Sequence, residues 1–227
     1  MLCAPAVAQA AEGDPPVERL SRPGGISRYA FVAHRTPVRT RPRWGGRRVA
    51  KLGLRTEDGT DELVLVLART RDPSGRSWVR IRVPVLPLGT TGWIPQSALG
   101  DLRRVNTWLR IDRRRLRATL VKNHRVRWSA RIGIGRSKWP TPAGNFYVRD
   151  KLRGFKRGSI YGPLAFGTSA KSTVLTDWPG GGVIGIHGTN RPELLPGRVS
   201  HGCVRLRNRD ILRLARLMPV GTPVTVR

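Results

Sequence analysis

Apolar residues recur at every second position from Val126 onward. Val126, Trp128, Ala130, Ile132 and Ile134 fall on one face, with Arg125, Arg127, Ser129 and Arg131 opposite. A period of two predicts a half-buried antiparallel strand with a cationic outer face. Just before it, Lys122-Asn123-His124-Arg125 reads as a tight turn between two strands. Nearer the amino terminus, "RYAFVAHRTPVRTRP", "ELVLVLART", "SWVRIRV" and "TGWIPQSAL" predict short strands rich in β-branched and aromatic residues. They are separated by Asp-Gly, Asp-Pro-Ser-Gly and Leu-Gly-Thr-Thr-Gly turn clusters. Only one stretch has convincing helical spacing. In "RDILRLARLM", Ile211, Leu214, Ala215 and Met218 form a stripe, Asn208 stands where a cap belongs, and Pro219 and Gly221 stop it. The fold class is therefore mostly β with one late helix. A small β-barrel is expected over residues 28–101, with Trp78 and Trp93 as packing residues, and a second β unit over residues 104–227.

With 227 residues and 39% apolar content, the chain can hold one large domain or two small ones. Its formal net charge of +29 creates a field that attracts polyanions, and says nothing about fold. Residues 1–27 read as the remnant of an export signal followed by a polar linker. Small apolar residues end in Ala8-Gln9-Ala10, an A-x-A pattern typical of cleavage sites. Export to the periplasm, the cell wall or beyond is the expectation. Cleavage there removes Cys3 and leaves Cys203 as the sole thiol, so no internal disulfide is expected.

"IGIHGTNRPELLPGRVSHGCVRL" gathers His187, His201 and Cys203 in one segment, although the chain has only four histidines and two cysteines. Three chemistries compete for it. A thiol needs a neighbouring imidazole or positive field to act as a nucleophile, and His187, followed by Gly188, ends an apolar strand that the loop can bring beside Cys203. The backbone N–H groups of Gly202 and Cys203 can then face a developing oxyanion. No aspartate stands near either histidine, so a backbone carbonyl must orient the imidazole. The second chemistry is zinc, with His187, His201 and Cys203 as ligands, although a catalytic zinc also wants a carboxylate and Glu193 is the only one in the loop. The third makes Cys203 a small core hydrophobe.

With "TPAGNF" upstream and "GTPVTV" at the end, the segment resembles the catalytic domain of the L,D-transpeptidases (YkuD type) from about Thr107 to Val226. The resemblance implies a β-sandwich with the nucleophile at its mouth, so the whole fold reads as a small SH3-like β-barrel followed by that sandwich. The SH3-like part rests on Trp78-Val-Arg-Ile and Gly92-Trp93-Ile94-Pro95, which are similar to closing strands of bacterial SH3-like domains. It implies further that Cys203 attacks the acyl donor, that His187 is the base, and that the Gly188 carbonyl orients it. Ser200, His201, Gly202 and Arg205 then shape the substrate pocket and oxyanion site, Arg205 standing where many members carry asparagine. The implied reaction joins third residues of peptidoglycan stem peptides through an acyl-thioester, without metal or cofactor. Hydrolysis by the same thioester (L,D-carboxypeptidase action) and a non-catalytic basic wall-binding protein are the alternatives. The expected partners are stem peptides and, through charge, anionic wall polymers or a membrane surface. Sequence-specific nucleic-acid binding is not expected, and the protein is expected to be a monomer. The region before Arg104 holds no cysteine or clustered histidine and is expected to be a separable targeting module.

Overall fold

A computed structural model describes residues 16–175 and 182–227. The Ala8–Ala10 cleavage pattern lies outside the described residues. The expected linker is partly structured: Glu18–Arg19 pairs with Arg69 and Ala68, and Leu20 N–H donates to Leu67 O at 2.9 Å. No helix among the described residues is long and apolar enough to cross a membrane.

The amino-terminal strands form one sheet ordered Arg48–Leu52, Thr36–Arg39, Thr91–Pro95, Ser77–Arg82, Leu63–Arg71, Ser27–Phe31 and Arg103–Val105. Among the described residues no ladder joins its first and last strands, so the expected barrel is an open sheet. Instead of returning to Arg48–Leu52, the chain runs from Arg103–Val105 straight into Thr107–Asp112 of the next unit. The continuous apolar run of Leu63–Arg71 has a direct reason. Val64 and Val66 enter the core of this sheet, while Leu63 and Leu65, on the opposite face, pack with Tyr29, Val105 and Tyr147.

The second unit is a sandwich. One sheet is ordered Arg125–Arg131, Arg117–Lys122, Thr107–Asp112, Pro223–Val226, Gly144–Tyr147. The other is ordered Ala165–Lys171, Val183–His187, Val204–Arg205, Gly133–Gly135, Gly197–Ser200. A single apolar cluster joins Leu109, Leu120 and Trp128 of the first sheet to Phe166, Ile186 and Val204 of the second, with Ile211 and Leu214 of the helix Asn208–Leu217 beside them.

Two local expectations change. The alternation from Val126 is interrupted: Leu120 pairs with Trp128 but Val121 pairs with Val126, so Arg127 is the extra residue of a bulge. The bulge turns Val126 to solvent, where it is 63% exposed, while Trp128 and Ala130 stay buried. Ile134 belongs to the other sheet altogether. Asn123 and His124 take φ of 51° and 62°, the left-handed pair that a two-residue hairpin turn needs. The second change concerns the helix. Its flanking residue is Arg207, with no side-chain cap, and Asn208 bonds elsewhere.

The two units are tied by buried polar contacts rather than by a loose hinge. Arg149 is 3% exposed and forks onto Glu62: Nε reaches Oε1 at 3.0 Å and Nη2 bonds Oε2. Its Nη1 bonds Glu57 at 2.7 Å, and Lys171 reaches the other oxygen of Glu57 at 2.7 Å. Burial works against the charge on Arg149, but Glu62 and then Glu57 more than offset it and hold the guanidinium protonated. The Tyr147 hydroxyl lies 3.3 Å from both Leu63 O and Arg82 O. These contacts argue against a separable module. A chain beginning at Asp101 leaves Arg149 without its carboxylates and uncovers Tyr147, and is expected to be unstable. Glu62→Ala in the full chain is expected to lose about 3–5 kcal/mol, because it strands a buried charge. Urea denaturation of the variant against wild type measures this.

Candidate active site

Strand register builds the site. Val183–His187 and Val204–Arg205 run parallel, with Ile186 opposite Val204 and His187 opposite Arg205. Alternation sends Ile184, Ile186, Val204 and Leu206 into the core. The intervening Gly185, His187, Cys203 and Arg205 are thereby left on the other face. A side chain at Gly185 would begin 3.8 Å from both Cys203 Sγ and His187 Cδ2, so thiol and imidazole crowd the same spot above this glycine. The Gly185 N–H points at Cys203 Sγ at 3.3 Å.

His187 Nδ1 lies 2.6 Å from Gly188 O. A carbonyl only accepts, so Nδ1 carries the hydrogen and Nε2 is the basic nitrogen. The carbonyl stands where an aspartate would otherwise be needed. The peptide that presents it is pinned next door: Thr189 N–H donates to Asn208 Oδ1 at 2.9 Å. The Asn208 side chain thus holds the histidine's loop instead of capping the helix.

The turn before Cys203 is fixed from inside. Ser200 is fully buried, and its hydroxyl donates to Cys203 O at 2.6 Å while accepting from Gly202 N–H at 3.1 Å. Thr141, the threonine of "TPAGNF", donates to Gly202 O at 2.6 Å and accepts from Gly135 N–H at 2.9 Å. Gly202 has φ of 119°, a conformation that glycine tolerates, and an added Cβ would lie 2.8 Å from Ile184 Cδ1. This corrects the expected oxyanion site. The Gly202 N–H is engaged by Ser200, whereas the Cys203 N–H has no intramolecular acceptor among the described residues. The Ser200 hydroxyl, expected to meet substrate, is spent inside the turn.

Two cavities meet at the thiol, both bordered by Tyr161, Val183, His187 and Cys203. One, of about 50 Å³, is reached by His201 and Arg205; the other, of about 260 Å³, extends along Phe155 and Phe166 to Asp58 of the amino-terminal sheet. The loop 188–199 lines neither. It lies instead beside the start of the helix, with Pro192 and Glu193 near Arg207 and Arg209. His201 stacks on Trp139, ring centres 4.2 Å apart, and Tyr161 meets His187 edge-on at 5.1 Å. Among the described residues no group of three His, Cys, Asp or Glu side chains is placed to hold a metal.

Burial dominates the electrostatics. It pushes His187 down to about 4, against the Gly188 hydrogen bond and with help from the Arg205 charge. It also raises the Cys203 thiol, which the Gly185 N–H and Arg205 only partly offset. The resting pair is a neutral thiol beside a neutral imidazole. Arg205 itself is half-buried, and its Nε has no hydrogen-bond partner among the described residues.

A family model for the L,D-transpeptidase catalytic domain (YkuD) matches residues 106–226. The chain belongs to the L,D-transpeptidase family. The putative L,D-transpeptidase YkuD of Bacillus subtilis strain 168 is 34% identical over 108 residues, covering 48% of this chain and 58% of that protein. The putative L,D-transpeptidase YqjB of the same strain is 30% identical over 126 residues, covering 51% of this chain and 68% of that protein. Solved structures with similar folds include an L,D-transpeptidase from Mycobacterium tuberculosis H37Rv, at 15% identity and a TM-score of 0.47, covering 87% of this chain and 98% of that one. The catalytic domain of the Enterococcus faecium L,D-transpeptidase is 27% identical with a TM-score of 0.39, covering 53% and 96%. The chain spans less than two thirds of the Bacillus YkuD protein. The family match begins beyond the amino-terminal sheet.

Because the imidazole must be neutral to accept the thiol proton, kcat/KM is expected to fall as pH drops through about 4 and to be flat through neutrality. A pH–rate series tests the position of that limb. Rapid alkylation of Cys203 by iodoacetamide near about pH 5 would instead reveal a preformed thiolate–imidazolium pair.

Proposed function

We propose that the protein is an exported peptidoglycan L,D-transpeptidase that cross-links the third residues of two stem peptides through an acyl-thioester on Cys203. The observation that carries this reading is the shared face of Gly185, His187, Cys203 and Arg205, with the Nδ1 hydrogen of His187 committed to Gly188 O. His187 Nε2 takes the thiol proton as Sγ attacks the carbonyl carbon of the third residue. The Cys203 N–H, which has no intramolecular acceptor among the described residues, receives the oxyanion. The C–N bond then breaks, and the imidazolium returns its proton to the departing amine, releasing D-alanine and leaving the thioester. An incoming amine attacks the same carbon and gives its proton to His187, the C–S bond breaks, and the proton returns to sulfur. Arg205, desolvated and with an unpartnered Nε, suits a carboxylate of the donor stem.

The test supplies a purified tetrapeptide stem with and without a second stem bearing a free side-chain amine, and identifies products by mass. A dimer joined between third residues supports transfer; tripeptide alone at every acceptor concentration makes the enzyme a carboxypeptidase. Cys203→Ala is expected to abolish both products. His187→Ala is expected to lower the rate by about 10²–10⁴-fold. Chelators are expected to leave the rate unchanged, and loss restored by zinc would return the metal reading.

The charge supports a location at an anionic wall or membrane surface. A cavity of about 700 Å³ between the amino-terminal sheet and the sandwich is bordered by Arg19, Arg22, Arg80 and Arg82, and by no acidic residue. Binding to purified anionic wall polymer is expected to weaken steeply as salt rises from about 0.05 to 0.5 M. A pull-down series at increasing salt measures it. Nucleic-acid binding with a base-sequence preference that survives high salt would contradict a purely electrostatic attraction.

A further inference from the structure

The larger of the two cavities at Cys203 is lined in part by a residue from outside the catalytic domain. Arg55 to Asp61 form a tight hairpin of the amino-terminal sheet, with Thr56 N–H on Thr60 O at 2.9 Å and a bridge between Arg55 and Asp61. Glu57 anchors its tip to the sandwich through Arg149 and Lys171, each at 2.7 Å. Asp58, the next residue, borders the cavity that also contains Gly185, His187 and Cys203.

Two independent features make this carboxylate more than a chance neighbour. The chain has 43 lysines and arginines against 14 acidic residues, so a carboxylate here has cations in abundance. Glu57, Asp61 and Glu62 around it are all paired with arginine or lysine, yet Asp58 is in no ion pair among the described residues. The second feature is its setting. Among the described residues, the other side chains of the cavity are apolar or aromatic apart from the reacting thiol and imidazole, and Asp58 is the one formally charged group. The smaller cavity at the thiol carries Arg205. Among the described residues, one cavity at Cys203 thus holds a carboxylate and the other a guanidinium.

We propose that Asp58 is a specificity-determining residue for the second substrate: it admits and orients the side-chain ammonium of the acceptor stem on the Asp58 side of Cys203, opposite the Arg205 side. This rests on the acyl-thioester reading above. A molecule with net charge +29 repels an ammonium ion, and a carboxylate in the cavity wall that is in no ion pair among the described residues reverses that locally. The carboxylate holds the ammonium and not the neutral amine. Loss of one proton to solvent frees the amine to advance to the thioester, where its second proton passes to His187 during attack. Water carries no such charge, so Asp58 discriminates in favour of transfer. Glu57 positions the hairpin through Arg149 and Lys171.

The test uses the full chain, a tetrapeptide donor and an acceptor stem with a free side-chain amine. Three quantities are read by mass: thioester formation, tripeptide from hydrolysis, and cross-linked dimer. In Asp58→Asn the acceptor KM is expected to rise about three- to tenfold, with a larger rise in Asp58→Lys, and the product ratio moves toward tripeptide. Added salt is expected to raise the acceptor KM of wild type and to have a much smaller effect on Asp58→Asn. An acceptor KM unchanged in both variants overturns the proposal, as does a loss confined to thioester formation, which would place Asp58 on the donor side. Failure of the underlying reading is distinct: wild type would then release no D-alanine and form no thioester at all.

Discussion

The site depends on one register, the parallel pairing of Ile186 with Val204. Cys203, the proposed nucleophile, lies just before one short strand, and His187, the proposed base, ends its neighbour. Because side chains alternate, this pairing puts four core residues inward and Gly185, His187, Cys203 and Arg205 outward together. A slip of one residue would bury the imidazole and thiol in the core and expose Ile186 and Val204. The buried apolar residues thus enforce the catalytic alignment: the same burial that stabilises the sandwich specifies which atoms meet. Ser200 and Thr141 then lock the turn that delivers Cys203, and Asn208 locks the loop that presents the Gly188 carbonyl.

A second constraint joins the site to the amino-terminal sheet. Leu63–Arg71 is buried on both faces because it serves two cores, and the Arg149 network crosses the same boundary. A buried ion pair of this kind is weak evidence for added stability, since desolvating both charges offsets much of their attraction. Its clearer effect is geometric. A bidentate contact to Glu62 and a single one to Glu57 from a buried guanidinium restrict where both can lie, and hence where the hairpin tip stands relative to the cavity.

The candidate site residues were nameable in sequence because they are local: His187, Gly188 and the Ser-His-Gly-Cys turn sit within one segment. The mostly β character and the helical stripe of Ile211, Leu214 and Ala215 were legible for the same reason, as both follow from short-range periodicity. What could not be read depends on distant partners. The strict alternation at Val126 gave no sign of the bulge, which is defined by the opposing strand at Leu120 and Val121. Asn208 has the identity of a helix cap, but Thr189 competes for its oxygen, and that contact exists only after folding. Gly202 N–H looked available until Ser200 was placed beside it. Asp58 carries no motif at all; a turn-forming Asp-Gly reads the same whether or not its carboxylate reaches a cavity. The open edge of the first sheet likewise depends on where its last strand leads.

In the proposed reaction, the neutral resting pair has a consequence for the competition between transfer and hydrolysis. Burial keeps Cys203 protonated and His187 unprotonated, so proton movement must accompany attack on a bound acyl group rather than precede it. In that proposal the same imidazole serves the second half-reaction, and while it is buried in a largely apolar cavity it has little access to bulk water. Water nonetheless stands at about 55 M outside, and an amine wins only if its effective concentration at the thioester is higher. Well-oriented intramolecular reactions reach effective molarities of about 10⁵–10⁸ M, which is ample, but only for a nucleophile held in line with the carbonyl carbon. Two approaches to one sulfur allow that geometry. The acyl chain can remain on one side while the acceptor enters from the other, and His187, bordering both cavities, can take the proton of the incoming amine without moving.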